Sequence, residues 1–400
     1  MDSISRLANA AIACIEQRAL SGARVGESAA SLGVSERHLR RVTESELGVS
    51  PIELAQTQRL LLAKRLLRET PMSLTDVAFA SGFGSVRRFN ALFRSRYRLS
   101  PGGVRGSAHK PEGLRVQLEF RPPFAWDRML AYLRLRSIPG VELVDETHYR
   151  RTAAFGASSG WIAVSMAKGG LALDLEISPS LARHAGAIIA RVKQLFDLNA
   201  SPDAVGSHLR KDSLLAPTVK RLPGLRVAGA FDGFELAVRT VLGQQVSVKG
   251  ASTISGRWAA ELGAPIATPF AGLNRLSPLA ETLASSHEDR VAALGMIGAR
   301  ARCLIGLAKA VSDGRVTLSS ATNVDDQVDH LLALQGIGHW TANYIAMRAL
   351  HWPDAFPAGD LMLMRAAGLK QGPLLARAEA WRPWRAYAAQ FLWNSLGAAP

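Results

Sequence analysis

The 400-residue sequence predicts a mainly α, multidomain chain in which a small α+β unit separates two all-helical regions. Two changes of hydrophobic period carry this reading. Over residues 1–107, and again from about residue 205 to the end, Leu, Ala and Arg recur at helical spacing. Between them the period drops to two. Val116, Leu118 and Phe120 alternate, as do Ile162, Val164 and Met166, and then Leu171, Leu173, Leu175 and Ile177. That pattern marks strands of a small antiparallel sheet. The 48% hydrophobic content is ample for two to four packed cores. The expected organisation is an all-helical domain at 1–107, a linker at 108–112, an α+β domain at 113–204 and a second all-helical domain at 205–400.

Composition narrows the function classes. The formal charge is +15 with a pI near 10.5, which favours a polyanionic partner. Residues 1–107 hold 16 Lys+Arg against 9 Asp+Glu, so the excess is shared along the chain rather than gathered in a tail. Only Cys14 and Cys303 occur. A disulfide framework, a four-cysteine zinc site and a four-cysteine iron–sulfur cluster are therefore excluded, and a reducing cytoplasm is expected. The run Leu7–Ile15 follows Arg6 and ends at Glu16, so it reads as a soluble helix and not a signal peptide. No apolar run reaches membrane-spanning length, and no membrane association is expected.

In the first domain, breaks fall at Gly33, Gly48, Pro71 and Gly82. Two segments repeat one plan. Ala29-Ala-Ser-Leu-Gly33-Val-Ser35 leads into Glu36-Arg-His-Leu-Arg-Arg41, and Val77-Ala-Phe-Ala-Ser-Gly82-Phe83 leads into Ser85-Val-Arg-Arg-Phe-Asn-Ala-Leu-Phe93. A short apolar helix, a glycine turn, a serine cap and an arginine-bearing helix follow helix-turn-helix logic, with the second helix sized for a major groove. Ser35 and Ser85 can cap the second helices. Arg37, Arg40, Arg87 and Arg88 can reach phosphates or guanine edges, with Ser85 beside them. Gly102-Gly103 and His109-Lys-Pro-Glu-Gly113 then form a linker, and the α+β unit adds helices near Trp126–Ser137 and Ser180–Phe196.

The last domain carries the chemistry. Helices at Asn323–Leu334 and His339–Leu350 flank Gln335-Gly336-Ile337-Gly338. Glycines in that turn let the backbone approach a phosphate, and the following helix start offers free N–H groups and a positive dipole end. Turn carbonyls, those of Gln335 and Ile337, can hold a monovalent cation that bridges to the phosphate. Asp360 follows at the mouth of Leu361-Met-Leu-Met-Arg365. It suits an N-cap, and equally a carboxylate that stabilises an oxocarbenium-like transition state at a sugar C1′. Asp354, in Trp352-Pro-Asp354, is the competing carboxylate and reads as a turn former. Trp340 and Tyr344 share one helix face, and Trp393 ends the helix Trp384–Trp393. Flat walls of this kind hold an extruded base, at ~1–3 kcal/mol per stacked base, and attract a cationic one by a further ~0.5–2 kcal/mol.

These motifs resemble known families. Residues 22–106, including Phe93-Arg-Ser-Arg-Tyr-Arg-Leu-Ser-Pro101, resemble the AraC-type double helix-turn-helix DNA-binding domain, and in particular the regulatory part of Ada-type proteins without their methyl-accepting zinc domain. Residues 113–400 resemble the AlkA-type 3-methyladenine DNA glycosylases of the helix-hairpin-helix superfamily. The likeness includes Arg121-Pro-Pro-Phe-Ala-Trp126, Pro223-Gly-Leu-Arg-Val-Ala-Gly229, Phe234-Glu-Leu-Ala-Val-Arg-Thr-Val-Leu-Gly-Gln-Gln-Val-Ser247, the hairpin and Trp381-Arg-Pro-Trp-Arg-Ala-Tyr387. The resemblance implies Asp360 as catalytic acid and Trp340, Tyr344, Trp393, Tyr132 and Leu361 as base pocket. It implies Gln245 as the side chain wedged into the duplex, and Gly336, Ile337 and Gly338 as the phosphate contact. Three positions depart from the pattern: Gln245 replaces a leucine, Leu361 a tyrosine and Gly359 a second aspartate. Trp340 stands where strand-cutting relatives place a lysine nucleophile, so strand cleavage is not expected. The implied activity is release of alkylated, cationic purines from double-stranded DNA. The expected partners are that DNA and operator DNA, and no cofactor is expected beyond a Na⁺ or K⁺ ion at the hairpin. The alternative is a non-catalytic AraC-type regulator.

Overall fold

A computed structural model describes residues 14, 15, 19, 25–32, 34–70, 72–105, 114–319 and 322–396. The helix expected around Leu7–Ile15 lies for the most part outside these residues, as do the breaks at Gly33 and Pro71 and the linker His109–Gly113. Five helices come first: α1 (Val25–Ser31), α2 (Glu36–Leu47), α3 (Pro51–Glu69), α4 (Leu74–Ala80) and α5 (Val86–Tyr97). Serines start the two arginine-bearing helices. The Ser35 hydroxyl accepts from the His38 N–H at 3.2 Å, and that of Ser85 from the Arg88 N–H at 3.4 Å. Ser50 and Glu53 form a capping box that opens α3, the long connector between the two units. Gly48 and Gly82 both take positive φ, at 70° and 80°, where a helix must stop and the chain turn.

The α+β unit is a five-stranded antiparallel sheet in the order β1-β5-β4-β3-β2. Its strands are β1 (Leu114–Glu119), β2 (Glu142–Val144), β3 (His148–Phe155), β4 (Ser158–Met166) and β5 (Ala172–Ile177). The alternation in β1 produces alternating burial, and Leu114, Val116 and Leu118 face Ile177, Leu175 and Leu173 across the β1–β5 pair. Helices α6 (Trp126–Leu135) and α7 (Ala185–Leu195) supply the apolar residues of the same core. Strands β2 and β3 were not among the expected ones, because β2 is short and His148, Arg150 and Arg151 break the apolar pattern in β3. Leu171 lies ahead of β5 and is 62% exposed, so it does not belong to that strand's buried face. The helix expected from Ser180 begins instead as a 3₁₀ turn, Pro179–His184. Against that turn packs α4, and the apolar interior of the second helix-turn-helix unit runs on unbroken into the sheet core.

The remaining helices are α8 (Pro202–Leu209), α9 (Ala216–Arg221), α10 (Gly233–Leu242), α11 (Val248–Leu262), α12 (Ala280–Ala284), α13 (Glu288–Ala292), α14 (Gly298–Ser312), α15 (Val324–Leu332), α16 (His339–Arg348), α17 (Leu361–Ala367), α18 (Gln371–Ala378) and α19 (Arg385–Ser395). They build two interiors. One joins α10, α11 and α14 to α16 through Val238, Trp258, Leu304 and Ile345. The other joins α8 and α9 to the last helices through Val205, Leu209, Val219, Phe391 and Trp393. Helix α16 belongs to both, so the residues it carries lie in the crease between them. No helix among the described residues is long and apolar enough to cross a membrane.

Candidate active site

Asp360 caps α17, and its carboxylate meets four N–H donors. Oδ1 accepts from the Met362 and Leu363 backbone at 2.9 and 3.0 Å and from Trp393 Nε1 at 3.1 Å. Oδ2 accepts from Trp340 Nε1 at 3.0 Å. An acid oxygen offers about two lone-pair sites, so Oδ1 is saturated and Oδ2 keeps acceptor capacity. The two indoles therefore do more than form walls. They fix the carboxylate from both sides, a role that ring spacing in the sequence does not reveal.

A cavity of about 300 Å³ opens beside this carboxylate. Tyr132, Trp340, Tyr344, Trp393 and Asp360 all line it, so four of the five expected wall residues come together with the acid. Leu361 does not. Its side chain is 77% exposed, because the residue after an N-cap points away from the helix's packed face, and Met362 takes the wall position instead. Trp340 and Tyr344 stack on each other, with centroids 5.3 Å apart and planes 14° apart. A base inserted between two rings needs about 7 Å, two contacts of ~3.5 Å, so the slot between these two is closed. The Trp393 ring stands 6.4 Å from Tyr344 with its plane tilted by 59°, so these two rings do not form a parallel slot either.

The inner wall is polar, and much of it was not expected. Arg136, Arg239 and Arg348 line the cavity. The Tyr132 and Tyr344 hydroxyls are 2.7 Å apart, and Arg348 Nη1 donates to the Tyr344 oxygen at 3.2 Å. Burial alone would raise the Tyr344 phenol. The guanidiniums of Arg348 and Arg136, with the hydrogen bonds from Tyr132 and Arg348, overcome burial and bring it down to about 7. Burial moves Tyr132 upward, so the two phenols diverge. Burial also lowers the Arg239 guanidinium, to about 10.

The hairpin turn sits at the rim. Gly336 has φ +90°, and a Cβ there would lie 3.0 Å from both Cβ and Sγ of Cys303. Both facts demand glycine. Ile337 anchors the turn in the core at 5% exposure, and Gly338 precedes α16 without a side-chain cap, leaving the helix start free. Gln244 ties the turn to the α10–α11 loop. Its Nε2 donates to the Gly336 carbonyl and to Thr341 Oγ1, both at 3.0 Å, while Arg300 Nη2 holds the Gln244 carbonyl at 2.6 Å. Next to it Gln245 is exposed with φ +58°, a conformation that costs a non-glycine residue of order 1–3 kcal/mol. Asp354 lies elsewhere, paired with Arg382 and with Arg385, whose Nε is 2.9 Å from Oδ1. Its pairing removes it as a rival to Asp360. On the helix-turn-helix domain, Arg37 and Arg40 of α2 and Arg87 and Arg88 of α5 are exposed, with Ser85 spent on its cap. None of these lines the cavity. Among the described residues no group of three His, Cys, Asp or Glu side chains is placed to hold a metal ion.

An acid on a helix start, an aromatic cavity and a glycine hairpin together define a helix-hairpin-helix enzyme. Sequence profiles agree: that of the HhH-GPD superfamily of base excision DNA repair proteins matches residues 238–372, that of the AlkA N-terminal domain residues 115–232, and a helix-turn-helix domain residues 28–107. The chain is 36% identical over 381 residues to the "Probable bifunctional transcriptional activator/DNA repair enzyme AlkA" of Mycobacterium tuberculosis, covering 92% of this chain and 76% of that one. It is 32% identical over 292 residues to DNA-3-methyladenine glycosylase 2 of Escherichia coli, covering 71% of this chain and 98% of the relative. The 3-methyladenine DNA-glycosylase of Archaeoglobus fulgidus superposes with a TM-score of 0.61 at 17% identity over 70% of this chain and 97% of its own, a likeness of fold. The chain belongs to the AlkA-type DNA glycosylases of the helix-hairpin-helix superfamily, with an AraC-type DNA-binding regulator domain at its N-terminal end.

Proposed function

We propose that this glycosylase releases alkylated, cationic purines such as 3-methyladenine and 7-methylguanine from double-stranded DNA, leaving an abasic site. The observation that carries the reading is Asp360: its Oδ2 retains a lone pair at the edge of a cavity that Trp340, Tyr344, Trp393 and Tyr132 also line. The hairpin Gly336-Ile337-Gly338 grips a phosphate, with the Gln335 and Ile337 carbonyls as the groups that would hold Na⁺ or K⁺ there. Extruding the nucleotide costs a few kcal/mol, and Gln245, exposed on a positive-φ turn next to the braced Gln244, fills the gap it leaves. The C1′–N bond breaks with its electron pair going to the base, which leaves neutral because it began cationic. Asp360 Oδ2 stabilises the sugar cation and orients a water that adds to C1′, the water's proton passing to solvent. Among the described residues no lysine lines the cavity, which supports hydrolysis without strand cleavage. Arg37, Arg40, Arg87 and Arg88 are the groups offered to operator DNA.

The test is release of free base from methylated duplex DNA by the full chain and by Asp360→Asn. Release by the parent that is lost in the variant, with DNA binding retained, is the expected result. Equal inactivity of both proteins on alkylated DNA, with binding intact, would leave only the regulator reading.

A further inference from the structure

Gln245 occupies a backbone conformation that a non-glycine residue adopts only when its surroundings impose it, and the residue before it supplies that constraint. Gln244 is anchored through both its main chain and its side chain. Its N–H donates to the Val241 carbonyl at the end of α10 (3.2 Å), and its carbonyl accepts from Arg300 Nη2 (2.6 Å). Its amide then reaches the hairpin, donating to the Gly336 carbonyl and to Thr341 Oγ1, both at 3.0 Å. A carbonyl only accepts, so the nitrogen end of the amide must face Gly336, and its two hydrogens are both spent there. Ser247 closes the far side of the turn, its hydroxyl capping α11 by accepting from the Gly250 N–H at 3.1 Å. Gln245 and Val246 are left exposed between these two pins.

Helix α14 ties the same parts together a second time. It carries Arg300, which holds Gln244, and Cys303, against which Gly336 is packed. The α10–α11 turn, the hairpin and the start of α14 therefore form a triangle, and Gln244 makes two of its sides. Neither the hairpin nor the exposed turn can shift without breaking one of them. Glutamine is specific here, since asparagine is a methylene short and an ionised glutamate offers no hydrogen to a carbonyl. We infer that Gln244 is a positioning residue for base extrusion: it fixes the turn bearing Gln245 against the hairpin, so that gripping a backbone phosphate and filling the vacated gap occur at one preset spacing. This rests on the proposed glycosylase activity and on Gln245 as the side chain that fills the gap. Extrusion gives up base pairing and stacking, and a filler held in place beforehand loses no freedom at that moment. A loose one has to be ordered while the base leaves.

Single-turnover excision of 7-methylguanine at saturating enzyme is measured in two duplexes. One has the lesion opposite cytosine, the other opposite an abasic analogue, where no base pair has to be broken. In the full chain, Gln244→Leu keeps most of the side-chain bulk and removes its hydrogen bonds. The rate on the paired lesion relative to the unpaired one is expected to fall about tenfold, the scale of one to two neutral hydrogen bonds. A residue that merely supported the fold or the geometry of Asp360 would slow both duplexes alike, so a ratio within twofold of the parent overturns the inference. Gln245→Ala completes a double-mutant cycle. Because Gln244 acts through Gln245, the two substitutions together are expected to lower the ratio no more than about twofold beyond the worse single one, and losses that multiply decide against it. Should melting show Gln244→Leu unfolded, Arg300→Met, which frees the same turn from its other anchor, replaces it in both comparisons. Two results strike the underlying readings, and the inference with them. A parent that releases 7-methylguanine from neither duplex sinks the glycosylase reading, and a Gln245→Ala ratio equal to the parent's sinks Gln245 as the filler.

Discussion

Single residues in this site act through hydrogen-bond polarity as much as through position. Asp360 receives donors only, and Trp340 and Trp393 supply two of them, so the rings that wall the cavity also aim its acid. Tyr344 shows the same economy, because its proton decides whether the tyrosine pair has a hydrogen to spare. The groups that face it are Tyr132 and Arg136 from the sheet domain, Arg239 from α10, Arg348 from its own helix and Asp360 across the cavity. Burial opposes ionisation of Tyr344, yet the arginines and hydrogen bonds hold its phenol down at about 7. The sign follows: below that pH both hydroxyl hydrogens are present, and above it the single remaining one is spent between the oxygens. Above about 7 the Tyr344 phenolate adds a negative charge to the cavity wall, so affinity for a 7-methylguanine duplex is expected to rise as pH passes upward through that value and to stay level in Tyr344→Phe. An affinity equally pH-dependent in both proteins would place the titrating group elsewhere.

At the scale of elements, the hairpin was legible because its requirements are local. Gly336 needs positive φ and Asp360 needs only the start of a helix, whereas the approach to Cys303 that also excludes a Cβ at Gly336 shows only in the fold. Gly336→Ala meets both objections at once. Strain of about 1–3 kcal/mol in the turn is expected to weaken duplex affinity roughly tenfold, with single-turnover excision at saturating enzyme changed less than about threefold. Titration of a lesion duplex separates the two, and an equal loss in both would mean that the turn also sets the geometry around Asp360. What the sequence hid is what depends on residues far apart along the chain. The Gln244 bond to Gly336 spans 92 residues and the Tyr132 bond to Tyr344 spans 212, so no local period announces either. Strand β3 escaped for a related reason: Arg150 and Arg151 look like solvent residues until their partners are in view. Leu361 is exposed while its neighbour Met362 lines the cavity, since alignment to a motif does not say which way a side chain turns at a helix start.

For the molecule as a whole, the cavity exists only because the sheet domain and the helical domain are held together. Tyr132 and Arg136 come from one side, Arg239, Tyr344 and Arg348 from the other. Beside it, Arg151 of β3 bonds Glu235 of α10 through two parallel contacts of 3.1 and 2.8 Å, with its guanidinium 4.3 Å from the Phe231 ring. Both side chains are almost wholly buried. Burial pushes the Glu235 carboxyl upward, and the Arg151 charge counters it. A buried pair of this kind stabilises little beyond an apolar pair of equal size, but losing one member strands the other. Arg151→Met is therefore expected to cost about 3–5 kcal/mol, a large part of the ~5–15 kcal/mol that holds a domain folded. Arg151→Met/Glu235→Met removes the more deeply buried of the two carboxylates that Arg151 pairs with, Glu142 at 3.9 Å being the other, and is expected to recover at least half of that loss, read as urea midpoints of the full chain. If the double variant is no more stable than the single one, the contact is worth its full value as an ion pair, and the join between the two domains depends on charge and not on the apolar surfaces around it.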